Sequence, residues 1–292
     1  MKYYICYVIA GLVLAAASYG SEQEIRDLTA GGKLVAKYQS AGVPKKPYIK
    51  ELFTPSGVQV TVDSPPDHFH HHGLMFAVSA GGIDFWSEKP FEKFGSQVPR
   101  TNDTKVSSSG LKQKLDWIAP GGKQLLVESR DVKVSAPQAG GPNILTWSTV
   151  LEPATNKAVQ LGGSHYFGLG MRFPADMNEK AKFILPEISS TDRVVRSDET
   201  IRLSPWCAAT GEIGGKSVTV AMWDAPGNPR RAVWFTMTKP FSYLSATLDL
   251  DKQPYELKAG EKMALCYGVA VFDGIATASE IERVREAWLK NQ

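Results

Sequence analysis

The chain has 292 residues, 43% of them hydrophobic and 22% charged. That composition excludes a disordered chain and suffices for a large buried core. Lys and Arg number 33 against 30 Asp and Glu; so even a balance lacks the clustered basic face of a nucleic-acid binder, and no nucleic-acid partner is expected.

The first element in chain order is a targeting segment. Met1-Lys2 precede an apolar run from Tyr3 to Ala17, which ends in Ser18-Tyr19-Gly20. Basic start, apolar stretch and small residues predict a secretory signal peptide over residues 1–20. The run is shorter than the ~20 residues of a membrane-spanning helix, and no second long apolar run follows. Residues 21–292 are therefore expected as one soluble domain, periplasmic or secreted, with no membrane contact after cleavage. Cys6 belongs to the signal. Cys207 and Cys266 either form a disulfide, as an oxidising compartment allows, or stay buried thiols.

Short β-rich runs then recur: Lys33–Gln39, Val58–Asp63, Leu74–Val78, Gln124–Val134 and Ile144–Leu151, then Ser217–Trp223, Ala232–Met237, Tyr243–Leu250 and Lys262–Val271. Several alternate apolar with polar, as Val58-Gln59-Val60-Thr61-Val62 does, which predicts half-buried antiparallel strands. Turn signals such as Pro120-Gly121-Gly122 and Pro226-Gly227-Asn228-Pro229 separate them. Only the carboxyl end reads as a helix, from about Ser279 to Lys290. Thr277 and Glu280 make a capping box there, and Ile281, Val284, Ala287 and Trp288 share a face. The fold class is all-β: an antiparallel β-sandwich with a carboxyl-terminal helix outside a sheet.

Four of the five histidines lie in Asp67-His68-Phe69-His70-His71-His72-Gly73. In an extended strand His68, His70 and His72 would face one side and His71 the other. Neighbours two apart lie ~6.6 Å apart, so His68 and His70 can chelate a divalent metal ion, with a further ligand from His165, Glu51 or Asp84. Equally, the imidazoles can act without metal as general acids and bases. Convergence of His68, His70 and His71 requires a bend, which Pro65-Pro66 before the cluster and Gly73 after it would permit. The candidate catalytic residues are His68, His70, His71, Asp84 and Glu51.

Gly82-Ile83-Asp84-Phe85-Trp86 sets a carboxylate beside an indole, as a sugar platform does; a core Trp with a turn Asp is the alternative. His165 and Arg172, in an alternating stretch, and Asn228 and Arg230, in a rigid loop, join Trp86 as candidate substrate-binding residues. A small-molecule or oligosaccharide ligand is the expected partner.

Asp67-His68-Phe69-His70-His71-His72-Gly73-Leu74 followed by Gly82-Ile83-Asp84-Phe85-Trp86 resembles a secreted bacterial family catalogued as PmoA-like, "methane oxygenase". Its pattern is Asp-His-Pro-His-His-Arg-Gly-Leu with a downstream Val-Asp-Phe-Trp. The resemblance extends to Thr54-Pro55-Ser56-Gly57, Tyr166–Arg172 and Asp224–Arg230. Phe69 stands where the family has Pro, and His72 where it has Arg. The resemblance implies a sandwich similar to the galactose-mutarotase supersandwich in an exported protein. It leaves three functions to compare: a carbohydrate-active lyase, hydrolase or epimerase, a copper- or iron-dependent oxygenase, and a non-catalytic carbohydrate-binding protein.

Overall fold

Strand periodicity sets the architecture. Asn143–Pro153 buries every second residue through most of its length, and Gly110–Ile118 and Gln124–Ser135 do nearly the same, as strands with one face on a core must. The computed structural model describes residues 24–41, 45–136, 140–186, 193–196 and 198–292. The segment read as a signal peptide lies outside the described residues.

Two large antiparallel sheets and a small one result. The first runs, in spatial order, Glu24–Ala30, Lys33–Ala41, Tyr48–Leu52, Leu74–Ala77, Gly168–Arg172, Tyr243–Thr247, Val233–Met237, Glu199–Leu203 and Arg193–Arg196. The second runs Lys182–Ile184, Trp206–Ile213, Lys216–Asp224, Met263–Asp273, Asn143–Pro153, Gln124–Ser135, Gly110–Ile118 and Ser96–Pro99, with Lys105–Ser107 also on Gly110–Ile118. Tyr255–Leu257, Val159–Gly162, Ser79–Ala80 and Ile83–Asp84 form the small sheet.

The large sheets meet face to face. Phe76 of the first packs on Trp117 of the second with ring centroids 6.2 Å apart, and Tyr38 on Trp147 at 6.5 Å. Between them lies a fully buried ion pair, Arg130 and Glu128. Burying it is costly unless every polar atom is met. Here Arg130 donates to Glu128, Tyr38, Gln97 and the Pro47 carbonyl, while Trp117 and Thr149 donate to Glu128.

The helix spans Ala278–Leu289 with the expected capping box. Its Ile281 and Trp288 pack with Trp206, Ala221 and Trp223 of the second sheet, and Trp288 Nε1 donates to Thr146 Oγ1 at 2.8 Å.

One sequence expectation changes, and one open alternative is decided. Val58–Asp63 forms only an isolated bridge, Phe53 to Gln59. The Thr61 hydroxyl accepts from Leu52 N–H and donates to the Lys50 carbonyl, so a side chain interrupts what would be a backbone ladder. Cys207 and Cys266 are both free thiols. Cys207 is fully buried, which pushes its pKa up.

Candidate functional site

The site grows from the outer face of the first sheet. Phe76 points to the second sheet, and Leu169 and Ala246 share its side through the ladder. Alternation then sends Gly170, Arg172 and Tyr243 outward. Tyr243 pairs with Arg172 across the ladder, and Phe235 lies beside Ser245 one strand over. Gly170 is required: a Cβ there would stand 2.0 Å from the Tyr243 hydroxyl and 2.9 Å from the Trp86 ring. The missing side chain lets phenol and indole lie over the strand.

The histidine cluster is not a strand. His68 N–H donates to the Pro65 carbonyl and His71 N–H to the His68 carbonyl, while Ser64 N–H donates to the His71 carbonyl. Consecutive turns fold the segment on itself. Gly73 then passes so close to the Tyr48–Leu52 strand that a Cβ would lie 2.2 Å from the Ile49 carbonyl oxygen. The alternation expected of an extended chain fails for this reason, and His68, His70 and His71 come together. His68 stacks on His71 with centroids 4.7 Å apart, and His70 stands edge-on to His71 at 4.7 Å.

Around His71 the rings of Tyr243 (5.2 Å), Phe241 (5.4 Å) and Trp86 (6.4 Å) gather into an aromatic cluster, the candidate recess. Trp86 stacks at 5.1 Å on Phe167 and meets Tyr166 edge-on. The Arg172 guanidinium lies 3.6 Å over the Phe241 ring, and its Nη2 donates to Asp67 Oδ2 at 2.8 Å. Asp67, also bonded to His68, is held down at about 2: burial opposes this, but the bonds from Arg172 and His68 prevail. Burial, with Lys46 and His68 nearby, pulls His70 down to about 4. Burial, with His70, His68 and Arg172 nearby, takes His71 to about 2. Both imidazoles are thus neutral near pH 7. Burial also raises the Tyr243 phenol well above its ordinary value, so it keeps its proton.

Polar atoms in this recess lack partners. His71 Nδ1, Trp86 Nε1, Arg172 Nε and Nη1 and the Tyr243 hydroxyl are buried with no hydrogen-bond partner among the described residues. Each such atom ordinarily costs about 1–3 kcal/mol, and native structures carry few of them. Their gathering on one face is the mark of a site built for something other than stability.

His72 does a different job. Its Nδ1 lies 2.8 Å from Asp63 Oδ1 and its Nε2 3.0 Å from Glu88 Oε1. Two carboxylate acceptors require both ring nitrogens to donate, which only the imidazolium does. Burial works against that charge, but the bonds to Asp63 and Glu88 win and raise its pKa. Tyr48 stacks on the ring at 4.2 Å, and buried Lys46 Nζ bonds Glu88 at 2.7 Å. This charged clamp anchors the histidine loop from behind.

The other sequence candidates separate. Trp86 is a recess wall with no exposed surface. Asp84 Oδ1 accepts from the N–H groups of Trp86 and Ser87; it is a turn former under a core Trp. Asp84 also lines a cavity of about 450 Å³ with Ser79, Gln160, Ser164, Phe167 and Asp251. Glu51 pairs with Lys37 Nζ at 3.0 Å, because the two are ladder partners, and so is occupied away from the histidines. His165 packs on Tyr166 and Phe235, its Nε2 3.6 Å from Glu199 Oε2. Asn228 spends its amide on the backbone of Cys266 in the second sheet, and Arg230 donates to the carbonyls of Leu248 and Gln253. Both hold loops. Sequence reading missed Phe241, Tyr243, Tyr166, Phe235 and Glu199. Ring alternation in Phe241-Ser242-Tyr243 was the only signal, and it marks a strand before a site.

A metal does not fit this donor set. The imidazoles of His68, His70 and His71 stack and abut ring to ring. Among the described residues no group of three His, Cys, Asp or Glu has metal-holding spacing.

A family model for a family of unknown function, DUF6807, matches residues 26–286. The chain belongs to the DUF6807 family. That description carries no activity, so the oxygenase label implied by the PmoA-like resemblance goes no further than the resemblance. No curated protein sequence matches this DUF6807 chain. Among solved structures, it is similar to an Escherichia coli K12 protein provisionally assigned as an aldose 1-epimerase. The two are 9% identical with a TM-score of 0.54, over 86% of this chain and 99% of that one. It is also similar to a galactose mutarotase related enzyme of Lactobacillus acidophilus, at 10% identity and a TM-score of 0.48, over 87% of this chain and 100% of that one. At such identities the likeness is one of fold: a sandwich of antiparallel sheets.

Proposed function

We propose that the chain is a carbohydrate-active enzyme that holds a small sugar in the recess of His71, Trp86, Arg172, Phe241 and Tyr243, and moves a proton on it. The gathering of unpartnered buried polar atoms inside aromatic walls carries this reading. Rings stack on the C–H faces of a sugar while N–H and O–H groups meet its oxygens, which suits a small polar ligand with apolar faces. The fold likeness to a protein provisionally assigned as an aldose 1-epimerase agrees with it.

The chemistry favours an epimerase or a lyase over a hydrolase. Glycoside hydrolysis ordinarily needs two carboxyl groups on either side of the bond. The carboxylates at this recess are otherwise engaged, Asp67 with Arg172 and His68, Glu199 with His165. Neutral imidazole, by contrast, accepts a proton directly. His70 and His71, neutral near pH 7, offer lone pairs to a sugar hydroxyl but are weak bases without a ligand. A bound ligand that brings their pKa back toward the ordinary ~6.5 would let them take a proton from a sugar carbon or hydroxyl, and let the Tyr243 phenol give one.

We infer also that residues 1–20 direct export, on their basic, apolar and small-residue order. Amino-terminal sequencing of protein from the periplasm or medium should begin near Ser21.

The direct test follows a panel of pure sugar anomers and short oligosaccharides by proton NMR with the purified protein. Anomer or epimer exchange, or appearance of an unsaturated product, supports the reading when His71→Ala abolishes it. Binding without turnover across the panel would leave a binding protein in its place.

A further inference from the structure

We propose that the ligand of the recess carries a carboxylate: that the substrate is a sugar acid of the uronate or aldonate class and not a neutral sugar. This rests on the carbohydrate reading above. The argument is the sign of the unpartnered atoms. Trp86 Nε1, Arg172 Nε and Arg172 Nη1 are donors only, and none has a partner among the described residues. The Tyr243 hydroxyl, also unpartnered, holds its proton and adds an O–H donor. His71 Nδ1 adds a donor or a lone pair according to its tautomer.

A neutral sugar meets such a wall poorly. Each hydroxyl brings a proton of its own, and the unpartnered atoms, donors apart from one tautomer of His71, offer it few acceptors, while the Asp67 and Glu199 carboxylates are held by Arg172, His68 and His165. A carboxylate is the reverse, with two oxygens, about four lone-pair sites and no proton. Arg172 adds charge. Its guanidinium is 4% exposed and lies against the Phe241 face, where little water screens it. Asp67 occupies only Nη2, from a half-exposed position at the rim, and leaves the two buried nitrogens for a second anion. The neighbouring His70 and His71 are neutral and do not repel an anion. Lys46 and His72 behind them are already matched by Glu88 and Asp63.

Calorimetry or thermal shift on the full chain decides the matter. The ligands are glucuronate and galacturonate, the corresponding neutral aldoses, the uronamides, and acetate as a carboxylate without a sugar. A charge-assisted bond to buried guanidinium should make a uronate bind about tenfold or more tighter than its uronamide or the neutral aldose. Arg172→Gln should bring that ratio close to one. The uronamide comparison uses unaltered protein, so it stands even if Arg172→Gln fails to fold. Equal or tighter binding of the neutral aldose sinks the proposal and leaves the carbohydrate reading intact. Acetate binding as tightly as the uronates makes the recess a carboxylate site with no call for a sugar. Failure of every sugar, neutral or acid, overturns the carbohydrate reading as well.

Discussion

Tyr243→Phe separates function from folding within one residue. In a core built for stability, removing a bonded hydroxyl costs free energy. The Tyr243 hydroxyl is buried without a partner, so its removal should relieve a desolvation penalty of about 1 kcal/mol or more. The thermal midpoint is expected to hold or to rise by roughly 2–4 °C. Turnover or sugar binding should fall about tenfold or more. A lowered midpoint by calorimetry would mean that the hydroxyl is bonded and structural. His72→Gln should behave the opposite way. It strips the cation from between Asp63 and Glu88, with Glu88 itself 3% exposed. Breaking a buried pair costs about 3–5 kcal/mol, readable as a shift in the denaturant midpoint. The histidines look alike in sequence, and nothing in their spacing tells His71 from His72. Their partners do: Tyr243 and Phe241 come from a distant strand and the turn before it, Asp63 and Glu88 from either side of the loop.

At the scale of elements, the outer helix and the histidine loop answer to different parts of the sequence. The helix was legible to within a residue because its signals are local: Thr277, Glu280 and the spacing of Ile281 and Trp288. The long strands were legible through alternation. Gly168–Arg172 was harder, because both its faces are buried, one by the second sheet and one by the site, and continuous burial erases the period. The bend in the histidine loop was legible from Pro65-Pro66 and Gly73, but not which ring would meet which. Gly170→Ala tests how the strand serves the site. A Cβ there overlaps the Tyr243 hydroxyl and Trp86, so it should cut ligand affinity or turnover about tenfold, while the circular dichroism spectrum keeps its β character. Ile281→Ala is its counterpart on the far sheet. It leaves a cavity among Trp206, Trp223 and Trp288 and should cost about 2–5 kcal/mol. Specific activity of the folded fraction should not change, because the helix covers the sheet that carries no site residue.

Over the whole molecule the two kinds of histidine oppose each other and place the pH of greatest stability. His70 and His71 have folded pKa values of about 4 and about 2 against an ordinary 6.5. Below pH 6.5 the unfolded chain takes up these two protons and the folded chain does not, so stability falls as pH falls, by at most about 1.4 kcal/mol per unit for each group. Glu88 and Asp67, held near 2 against ordinary values of 4.5 and 3.8, add to the loss further down. His72 is raised, so it acts on the other side. Above its ordinary 6.5 the unfolded ring loses its proton while the folded one, between Asp63 and Glu88 with Lys46 and Tyr48 beside it, retains it. Its contribution is complete below 6.5 and is lost as pH climbs through the raised value. The thermal midpoint should therefore peak near pH 6.5, with a steep acid limb and a shallower alkaline one. The double variant His70→Phe, His71→Phe should flatten the acid limb between pH 6.5 and about 4, and His72→Gln should flatten the alkaline limb, each measured by scanning calorimetry across the range. A wild-type midpoint that stays level from pH 4 to 6.5 would show that the recess histidines are protonated in the folded chain, and they could then no longer serve as bases.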